Sequence, residues 1–449
     1  MKKLTFLLVL ACMASTIFSQ NTTVVTQTGD NDNATVAQTG NDHQAQVAQT
    51  GDKNVATVDQ FGGDHNYIDV VSKGDKNTVD VDQNGTDLNA ANVGIYGYIH
   101  QTGDKNNATL NQDGNNIDAK IDQQNGKNTA VFTQKGSWLQ LESNGLVQIR
   151  TLGDEGNKAT LNQSNTLQSL NIIQTGSGNE ITSDQSGNTN QFSAFQTGIK
   201  NTAQLTQSGN YNWDGWSSIA NNVLTQTGAY NDAKIKQLGN SKFLVDQIGA
   251  FNKADLELTG SWANVNQIGA FNTAGLELTG SWANVNQIGD NNKVGGLLNN
   301  LPTDVAVFLP GSSLDATQLG GNNELYVNTA GNLITNQNNL LSHMVGNTIK
   351  YTQTHTGDVV LTQLGDKNLI WLKNTSSSVP MDVDVDQIGD GNKVASLGVT
   401  TSSANFAGAH LDIDQLGNYN SLNLDSNSAG AVVDVWQKGN NNQASVIQN

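Results

Sequence analysis

The chain has 449 residues, of which 36% are hydrophobic and 14% are charged, and its formal net charge is −18 at pH 7. The rest is mostly Asn, Gln, Thr, Ser and Gly, which is too little apolar material for one large globular core and too little charge for ordinary charged disorder. A negative chain without a basic stripe repels phosphates, which argues against a nucleic-acid partner.

The N-terminus has the pattern of a secretory signal peptide. Lys2 and Lys3 precede an apolar run that reaches Met13, and small and polar residues follow to Ser19. The run is shorter than the about 20 residues that a membrane-spanning helix needs, so we expect residues 1–19 to be removed and no transmembrane segment to remain. The single cysteine, Cys12, lies inside this segment. A lipoprotein that uses Cys12 is an open alternative, although its apolar region would be very short.

An eleven-residue repeat follows the signal. Gln-x-Gly recurs at this step, first at Gln27, Gln38, Gln49 and Gln60. Between these tripeptides, Asn follows the Gly by three residues, and two small or apolar residues and the next Gln follow at steps of two, as in Asn54-Ala56-Val58-Gln60. Because a period of two is that of a β-strand, these four positions are predicted to point to the same side of the strand.

Each repeat is therefore predicted to be one short strand and a turn. Two such units facing each other bury their apolar sides and form a coil of about 22 residues, and coils stack at about 4.8 Å. We predict an all-β fold, a β-solenoid over residues 20–449 as a single domain, with irregular loop insertions near residues 297–314, 373–380 and 397–409. Residues 247–266 and 267–286 are near copies, which a solenoid accommodates as an added coil.

Stacking also explains why amides occupy inward positions. A buried amide without partners costs about 1–3 kcal/mol, whereas an amide between like amides above and below is satisfied. The predicted structural amide ladder comprises Gln38, Gln49, Asn54, Gln60, Asn77, Gln83, Asn106, Gln112, Gln174, Gln185, Gln196, Asn201, Gln207, Asn231, Gln237, Asn442 and Gln448. The turn glycines, expected where the backbone needs positive φ, include Gly29, Gly40, Gly51, Gly103, Gly176, Gly198, Gly228 and Gly439.

The repeat Gln-x-Gly-x-x-Asn-x-Ala-x-x-x-Gln resembles the curlin repeat of curli fibres. Residues 49–60 fit it at every marked position, and the match recurs in phase along the chain. The resemblance implies an extracellular amyloid subunit of the biofilm matrix, exported through an outer-membrane pore and assembled into fibres at the cell surface. It implies as partners further copies of the chain and related fibre or nucleator subunits. Because the chain has many more repeats than the short subunits of the family, the roles of major subunit, nucleator and anchor stay open.

The sequence contains no convincing catalytic, cofactor or metal motif. Gly-Asp-Lys-Asn segments are read as turns, because none opens a helix. Outward acids such as Asp80, Asp82, Asp384 and Asp386 are read as a solvated face that opposes aggregation, with calcium binding as the alternative. The histidines are read as turn or surface residues; they are His43, His65, His100, His343, His355 and His410.

We therefore predict a non-enzymatic, self-assembling fibre subunit without a cofactor. The alternative is a β-solenoid adhesin, or a surface- or carbohydrate-binding protein, that does not polymerise. A carbohydrate-active β-helix enzyme is a third class, but it requires acids clustered in a cleft, and the regular acid runs do not form such a cluster.

Overall fold

The structure is a computed structural model. It describes residues 20–84, 96–113, 118–135, 146–151, 155–164, 169–187, 190–209, 222–238, 242–259, 262–279, 282–293, 295, 313–328, 332–339, 347–352, 359–373, 382–396, 410–426 and 432–448. The expected signal segment, all of 397–409 and almost all of 297–314 and 373–380 lie outside these residues.

The regular secondary structure of the described residues is β-strand, and the predicted all-β β-solenoid is confirmed. The chain divides into two compact units, Met1–Ala229 and Tyr230–Asn449. The expectation of a single domain over residues 20–449 stays a prediction. Within the described ranges, no helix has the length and apolar character that crossing a membrane requires.

The first unit contains strands of six to ten residues. They are β1 (Thr22–Thr28), β2 (Asn33–Asn41), β3 (Gln44–Thr50), β4 (Val55–Asp64), β5 (Tyr67–Lys73), β6 (Thr78–Asn84), β7 (Tyr96–Thr102), β8 (Asn107–Asp113), β9 (Asp118–Gln124), β10 (Thr129–Lys135), β11 (Leu146–Thr151), β12 (Lys158–Ser164), β13 (Ser169–Ser177), β14 (Glu180–Ser186), β15 (Gln191–Ile199), β16 (Thr202–Ser208) and β17 (Asn222–Ala229).

In this unit the strands alternate between two parallel sheets. Each odd-numbered strand pairs with the next odd-numbered strand, from β1 to β17. Even-numbered strands pair in the same way from β2 to β16. One odd and one even strand thus form a coil, and Gln27 of β1 lies in register with Gln49 of β3.

The second unit is built on the same plan. Its strands are β18 (Asp232–Leu238), β19 (Lys242–Ala250), β20 (Lys253–Thr259), β21 (Trp262–Ala270), β22 (Thr273–Thr279), β23 (Trp282–Ile288), β24 (Ser313–Gly320), β25 (Glu324–Asn328), β26 (Asn332–Asn339), β27 (Thr348–Thr352), β28 (Val359–Leu364), β29 (Leu369–Lys373), β30 (Asp382–Ile388), β31 (Lys393–Ser396), β32 (His410–Leu416), β33 (Ser421–Ser426), β34 (Val432–Lys438) and β35 (Gln443–Gln448).

Its longest run of parallel pairs begins at β19 and continues through β21, β23, β24, β26, β28, β30, β32 and β34. The other strand of each coil belongs to the series β18, β20, β22 or to the series β25, β27, β29, β31, β33, β35. We call the strands of the β19–β34 run the first strands and those of the other two series the second strands of this unit.

Alternation along each strand places the core between the two strands of a coil. Asn54, Ala56, Val58 and Gln60 are each at most 1% exposed. Val55 between them is 36% exposed, as expected for a strand with one face inward. Each fully buried Val or Leu contributes about 1.5–3 kcal/mol, and a stack repeats this contribution in every coil.

The turns stack as closely as the strands do. Every turn glycine named from the sequence has a positive φ, between 109° and 146°. A Cβ on Gly51 would overlap the carbonyl oxygen of Gly74 in the next coil, so the position needs glycine both for its φ and for the close approach of the backbones.

Two residues after each such glycine, a second residue adopts left-handed φ, for example Lys53 at 62° and Lys76 at 61°. Positive φ is expected at Gly, Asn and Asp of the turns, but not at these lysines.

Candidate functional site

Buried glutamines form hydrogen-bonded ladders parallel to the stack. In the even-numbered strands of the first unit, Nε2 of Gln38 donates to Oε1 of Gln60 at 2.8 Å, and Gln60 donates in the same way to Gln83 at 2.7 Å. Further even-strand bonds join Gln83 to Gln112, Gln163 to Gln185 and Gln185 to Gln207. Each amide donates to the next coil in sequence and accepts from the preceding one. All hydrogen bonds of the ladder therefore run in the same direction along the stack, and we call this direction its polarity.

The odd-numbered strands of this unit carry shorter stretches of ladder. Hydrogen bonds between side-chain amides join Gln27 to Gln49, Gln101 to Gln123, Gln174 to Gln196 and Gln196 to Gln226. Ser72 occupies the glutamine position between Gln49 and Gln101, and its hydroxyl donates to Oε1 of Gln101 at 3.2 Å.

Another interruption explains an unsatisfied atom. Oε1 of Gln174 is buried and has no hydrogen-bond partner among the described residues. In the preceding coil Ile149 lies in register with Gln174. Because isoleucine has no amide to donate, the ladder cannot supply the bond that other glutamine oxygens receive.

The glutamines also connect the two strands of a coil. Nε2 of Gln60 donates a second hydrogen bond to the backbone carbonyl of Gln44 at 3.2 Å, and Nε2 of Gln83 donates to that of Tyr67 at 3.1 Å. Gln44 and Tyr67 begin strands of the opposite sheet. Each amide therefore holds its coil to the next coil and its two strands to each other.

Buried asparagines form a second kind of ladder at the turns. The backbone N–H of Asn77 donates to Oδ1 of Asn54 at 3.0 Å, and that of Asn106 donates to Oδ1 of Asn77 at 2.9 Å. Nδ2 of Asn106 donates to the carbonyl oxygen of Asn125 in the next turn at 2.8 Å. The asparagine thus fastens each turn to the turns on either side of it.

The structure places the remaining predicted ladder residues as follows. Asn201, Asn231 and Gln237 are buried, with exposures of 0%. Asn442 is half-buried, and its backbone N–H donates to Oδ1 of Asn420 at 3.1 Å. Gln448 lies in β35 in register with Ser426, and its side chain is outside the described residues.

The second unit keeps an unbroken glutamine ladder in its first strands. Nε2 of Gln247 donates to Oε1 of Gln267 at 2.9 Å, and Gln267 donates to Gln287 at 2.8 Å. The series continues through Gln318, Gln337, Gln363, Gln387 and Gln415 to Gln437. The predicted structural amide ladder does not include these residues, although all of them except Gln337 begin a Gln-x-Gly tripeptide.

His43 corrects part of the reading of the histidines as turn or surface residues, because it lies in the turn between β2 and β3 but not at the surface. It is fully buried and takes an asparagine's place in the ladder, because its backbone N–H donates to Oδ1 of Asn21 at 3.0 Å. Its Nδ1 accepts the backbone N–H of Asn66 at 3.3 Å. The inward phase of His43, eleven residues before Asn54, was the signal in the sequence.

The aspartates of the turns accept hydrogen bonds from the backbone. The backbone N–H of Asp30 donates to Oδ1 of Asp52 at 2.9 Å. In the same way, the N–H of Asp52 donates to Oδ1 of Asp75, and the N–H of Asp75 donates to Oδ1 of Asp104. Each carboxylate is thus an acceptor for the turn of the preceding coil. This role extends the reading of these segments as turns.

The outward acids lie in register across neighbouring strands. Asp384 of β30 aligns with Asp412 of β32 and Asp434 of β34, and Asp386 aligns with Asp414. Partial burial, reinforced by Asp412, Asp386 and Asp434, raises the pKa of Asp414. Burial together with Asp80 and Asp59 raises the pKa of Asp82. Among the residues that the structure describes, no group of His, Cys, Asp or Glu is arranged to hold a metal ion.

Comparison with known protein families identifies the repeat in the first coils. No curated protein matches the chain. The family model of the curlin associated repeat matches residues 20–51, 44–74 and 74–114, which include β1 to β8 with their glutamine and asparagine ladders. The resemblance is thereby confirmed, and this chain carries curlin repeats.

Proposed function

We propose that this chain is a secreted, extracellular structural subunit that assembles into curli-like amyloid fibres of a biofilm matrix by edge-to-edge stacking of its coils. Its principal partner is another copy of itself, with related fibre or nucleator subunits and an outer-membrane export pore as further partners by family resemblance. We propose no catalytic role and no cofactor.

The observation that carries the proposal is the polarity of the glutamine ladder. Each Nε2 donates to the Oε1 of an identical residue one coil further on, as in Gln387 to Gln415 and Gln415 to Gln437. The best partner for an edge coil is therefore another coil of the same kind. Unpaired strand edges recruit further strands, and matching amides set their register.

The N-terminal end of the first unit's ladder and the C-terminal end of the second unit's ladder match in sequence. Within the described residues β1 pairs with β3 and β34 pairs with β32. Residues 437–448 and 27–38 have the same spacing, so placing Gln437 of one copy on Gln27 of another also aligns Gly439 with Gly29 and Val446 with Val36. Such a contact continues both the backbone pairing and the donor-to-acceptor direction of the amides.

Assembly of the chain without residues 1–19 tests the proposal. We expect fibrils by electron microscopy, a thioflavin-T signal, and a lag time that preformed seeds shorten. Gln437→Leu should slow elongation, because Gln437 is 6% exposed and ends the described ladder. The matched control is Gln443→Leu on the exposed face of β35, which should elongate normally. Protein that stays monomeric for days, with seeds present, contradicts the proposal.

A non-polymerising adhesin is the second candidate, and exposed apolar residues on β34 favour it. Trp436 is 69% exposed and Val432 is 62% exposed. An exposed indole suits contact with a sugar ring or an apolar surface. If monomeric protein binds polysaccharide-coated surfaces, and Trp436→Ala removes that binding without any assembly, this candidate replaces the first.

A further inference from the structure

A column of exposed aromatic rings crosses three consecutive coils of the second unit. The ring centroids of Tyr230 and Phe251 are 4.9 Å apart, those of Phe251 and Phe271 are also 4.9 Å apart, and each pair of planes is within 1° of parallel. The three side chains are 46%, 47% and 53% exposed. Each sits at the left-handed position of its turn, with φ between 56° and 59°.

A column of isoleucines precedes the ring positions in sequence, with Ile248 and Ile268 three residues before Phe251 and Phe271. Ile248, Ile268 and Ile288 lie in register on β19, β21 and β23. Ile248 is 45% exposed and Ile288 is 37% exposed, while Ile268 is half-buried. We call the six residues of the two columns the apolar ridge: Tyr230, Ile248, Phe251, Ile268, Phe271 and Ile288. Exposed apolar side chains that recur coil after coil are typical of an interaction site.

The ring-bearing turns of the ridge carry no charge. At the two positions after the turn glycine, four turns of the chain carry Asp and Lys, as in Asp52-Lys53, whereas the ridge turns carry Ala250-Phe251 and Ala270-Phe271.

The strands that follow the ridge turns are nearly neutral. Strands β18, β20 and β22 together contain three lysines and four acids. Strands β30, β32 and β34 contain one lysine and six acids. In a chain of net charge −18, the ridge is a place where two copies can approach with little repulsion.

We propose that the apolar ridge packs side by side against the ridge of a second copy of this chain. A second copy has the same spacing of 4.9 Å between rings, so its columns match over the whole ridge, whereas a partner without this repeat matches at one coil only. Two identical ridges form a closed, two-fold contact.

This inference rests on the proposed function. A single ridge of six residues is small for a stable dimer, but a filament repeats it once in every subunit. The contacts between two filaments then add up along their length.

The first test compares filament pairing in the double variant Phe251→Asp, Phe271→Asp with pairing in the wild type. By electron microscopy we expect wild-type filaments in side-by-side pairs, and at least tenfold fewer pairs in the variant. Seeded elongation should not change, because the two substituted rings are exposed whereas the ladder glutamines are buried.

The matched control is Tyr419→Asp. Tyr419 is 58% exposed and has the same left-handed φ of 58°, but its ring lies against Gly391 and not on another ring. This variant should pair like the wild type. Equal pairing in the double variant, loss of pairing in the control, or loss only of polysaccharide binding overturns the proposal.

A second test does not depend on filaments. Cys12 is the sole cysteine and belongs to the expected signal, so Ile268→Cys introduces a single thiol at the centre of the ridge. Under mild oxidation we expect several-fold more disulfide-linked dimer from this variant than from Tyr419→Cys. Equal cross-linking overturns the ridge contact. Selective cross-linking by a chain that forms no filaments contradicts the proposed function and leaves the ridge contact standing.

Discussion

The two units bury their amides differently. In the first unit both strands of a coil contribute glutamines, for example Gln49 on β3 and Gln60 on β4. In the second unit the first strands continue the glutamine ladder, but Leu258 and Leu278 lie in register with Gln237 on the second strands. The second strands β25, β27, β29 and β31 are also short, at four or five residues.

This difference teaches that one glutamine ladder is enough to hold a coil. Nε2 of Gln267 donates both to Gln287 and, at 2.8 Å, to the backbone carbonyl of Lys253 on the second strand. The asparagine ladder continues beside it, because the backbone N–H of Asn272 donates to Oδ1 of Asn252. A coil with one glutamine therefore depends on it more heavily than a coil with two.

The largest effect is expected for Gln267→Leu, which interrupts that ladder in the second unit. Oε1 of Gln287 and Nε2 of Gln247 each lose an amide partner, and an unsatisfied buried group costs about 1–3 kcal/mol. Guanidinium unfolding should show a clearly lower midpoint. Gln443→Leu on an exposed face is the control and should change the midpoint little. Equal unfolding midpoints for the two variants would contradict the dependence of this coil on its single glutamine.

A smaller loss is expected for Gln60→Leu in the first unit. The hydrogen bonds of its side-chain amide with Gln38 and Gln83 disappear. The hydrogen bond between Gln27 and Gln49 on the odd-numbered strands remains. Gln46→Leu, which changes an exposed side chain on β3, is the control. If Gln60→Leu destabilises more than Gln267→Leu does, the comparison between the units is wrong.

Repair of a gap should stabilise the first unit by about 1 kcal/mol, the usual net value of a hydrogen bond. Ser72→Gln restores the repeat's own residue between Gln49 and Gln101, at a position that is fully buried. Ser72→Ala removes the bond to Gln101 and should destabilise. The same unfolding midpoints measure both variants, and a lower midpoint for Ser72→Gln than for the wild type contradicts the ladder's role.

The smallest effect is expected from the outward acids. Because the pKa of Asp414 is raised in the folded chain, its protonated form favours folding, and this stabilisation is lost as pH rises through the folded pKa. Asp414→Asn should therefore be slightly more stable than the wild type at pH 7. The advantage should disappear below about pH 4, near the ordinary pKa of aspartate. Unfolding midpoints across this range measure it, and an advantage that grows toward low pH has the wrong sign.

Much of the fold could be read from the sequence because its period is local. The step of two between Asn54, Ala56, Val58 and Gln60 determines which side chains face inward, and two repeats of eleven residues separate residues that stack, such as Gln27 and Gln49. Positive φ at the turn glycines follows from the same pattern.

Other features depend on contacts between coils and leave weaker signals. The left-handed conformation of Lys53 and Phe251 arises from stacking of whole turns, and the residue types there do not favour it. The place of His43 in the asparagine ladder follows from register, although the histidines are read from the sequence as turn or surface residues. That Leu258 occupies the position of Gln237 in the next coil becomes visible only when the strands are aligned.

The central claim is that the ladder amides are interior groups bonded to one another. Side-chain hydrogen exchange, followed by NMR on the assembled protein with labelled glutamine, tests it most directly by comparing Gln60 with Gln46. Gln60 is 1% exposed and bonds to Gln83, whereas Gln46 points outward from β3. The account expects the amide protons of Gln60 to exchange orders of magnitude more slowly than those of Gln46. Equally fast exchange at both residues contradicts it.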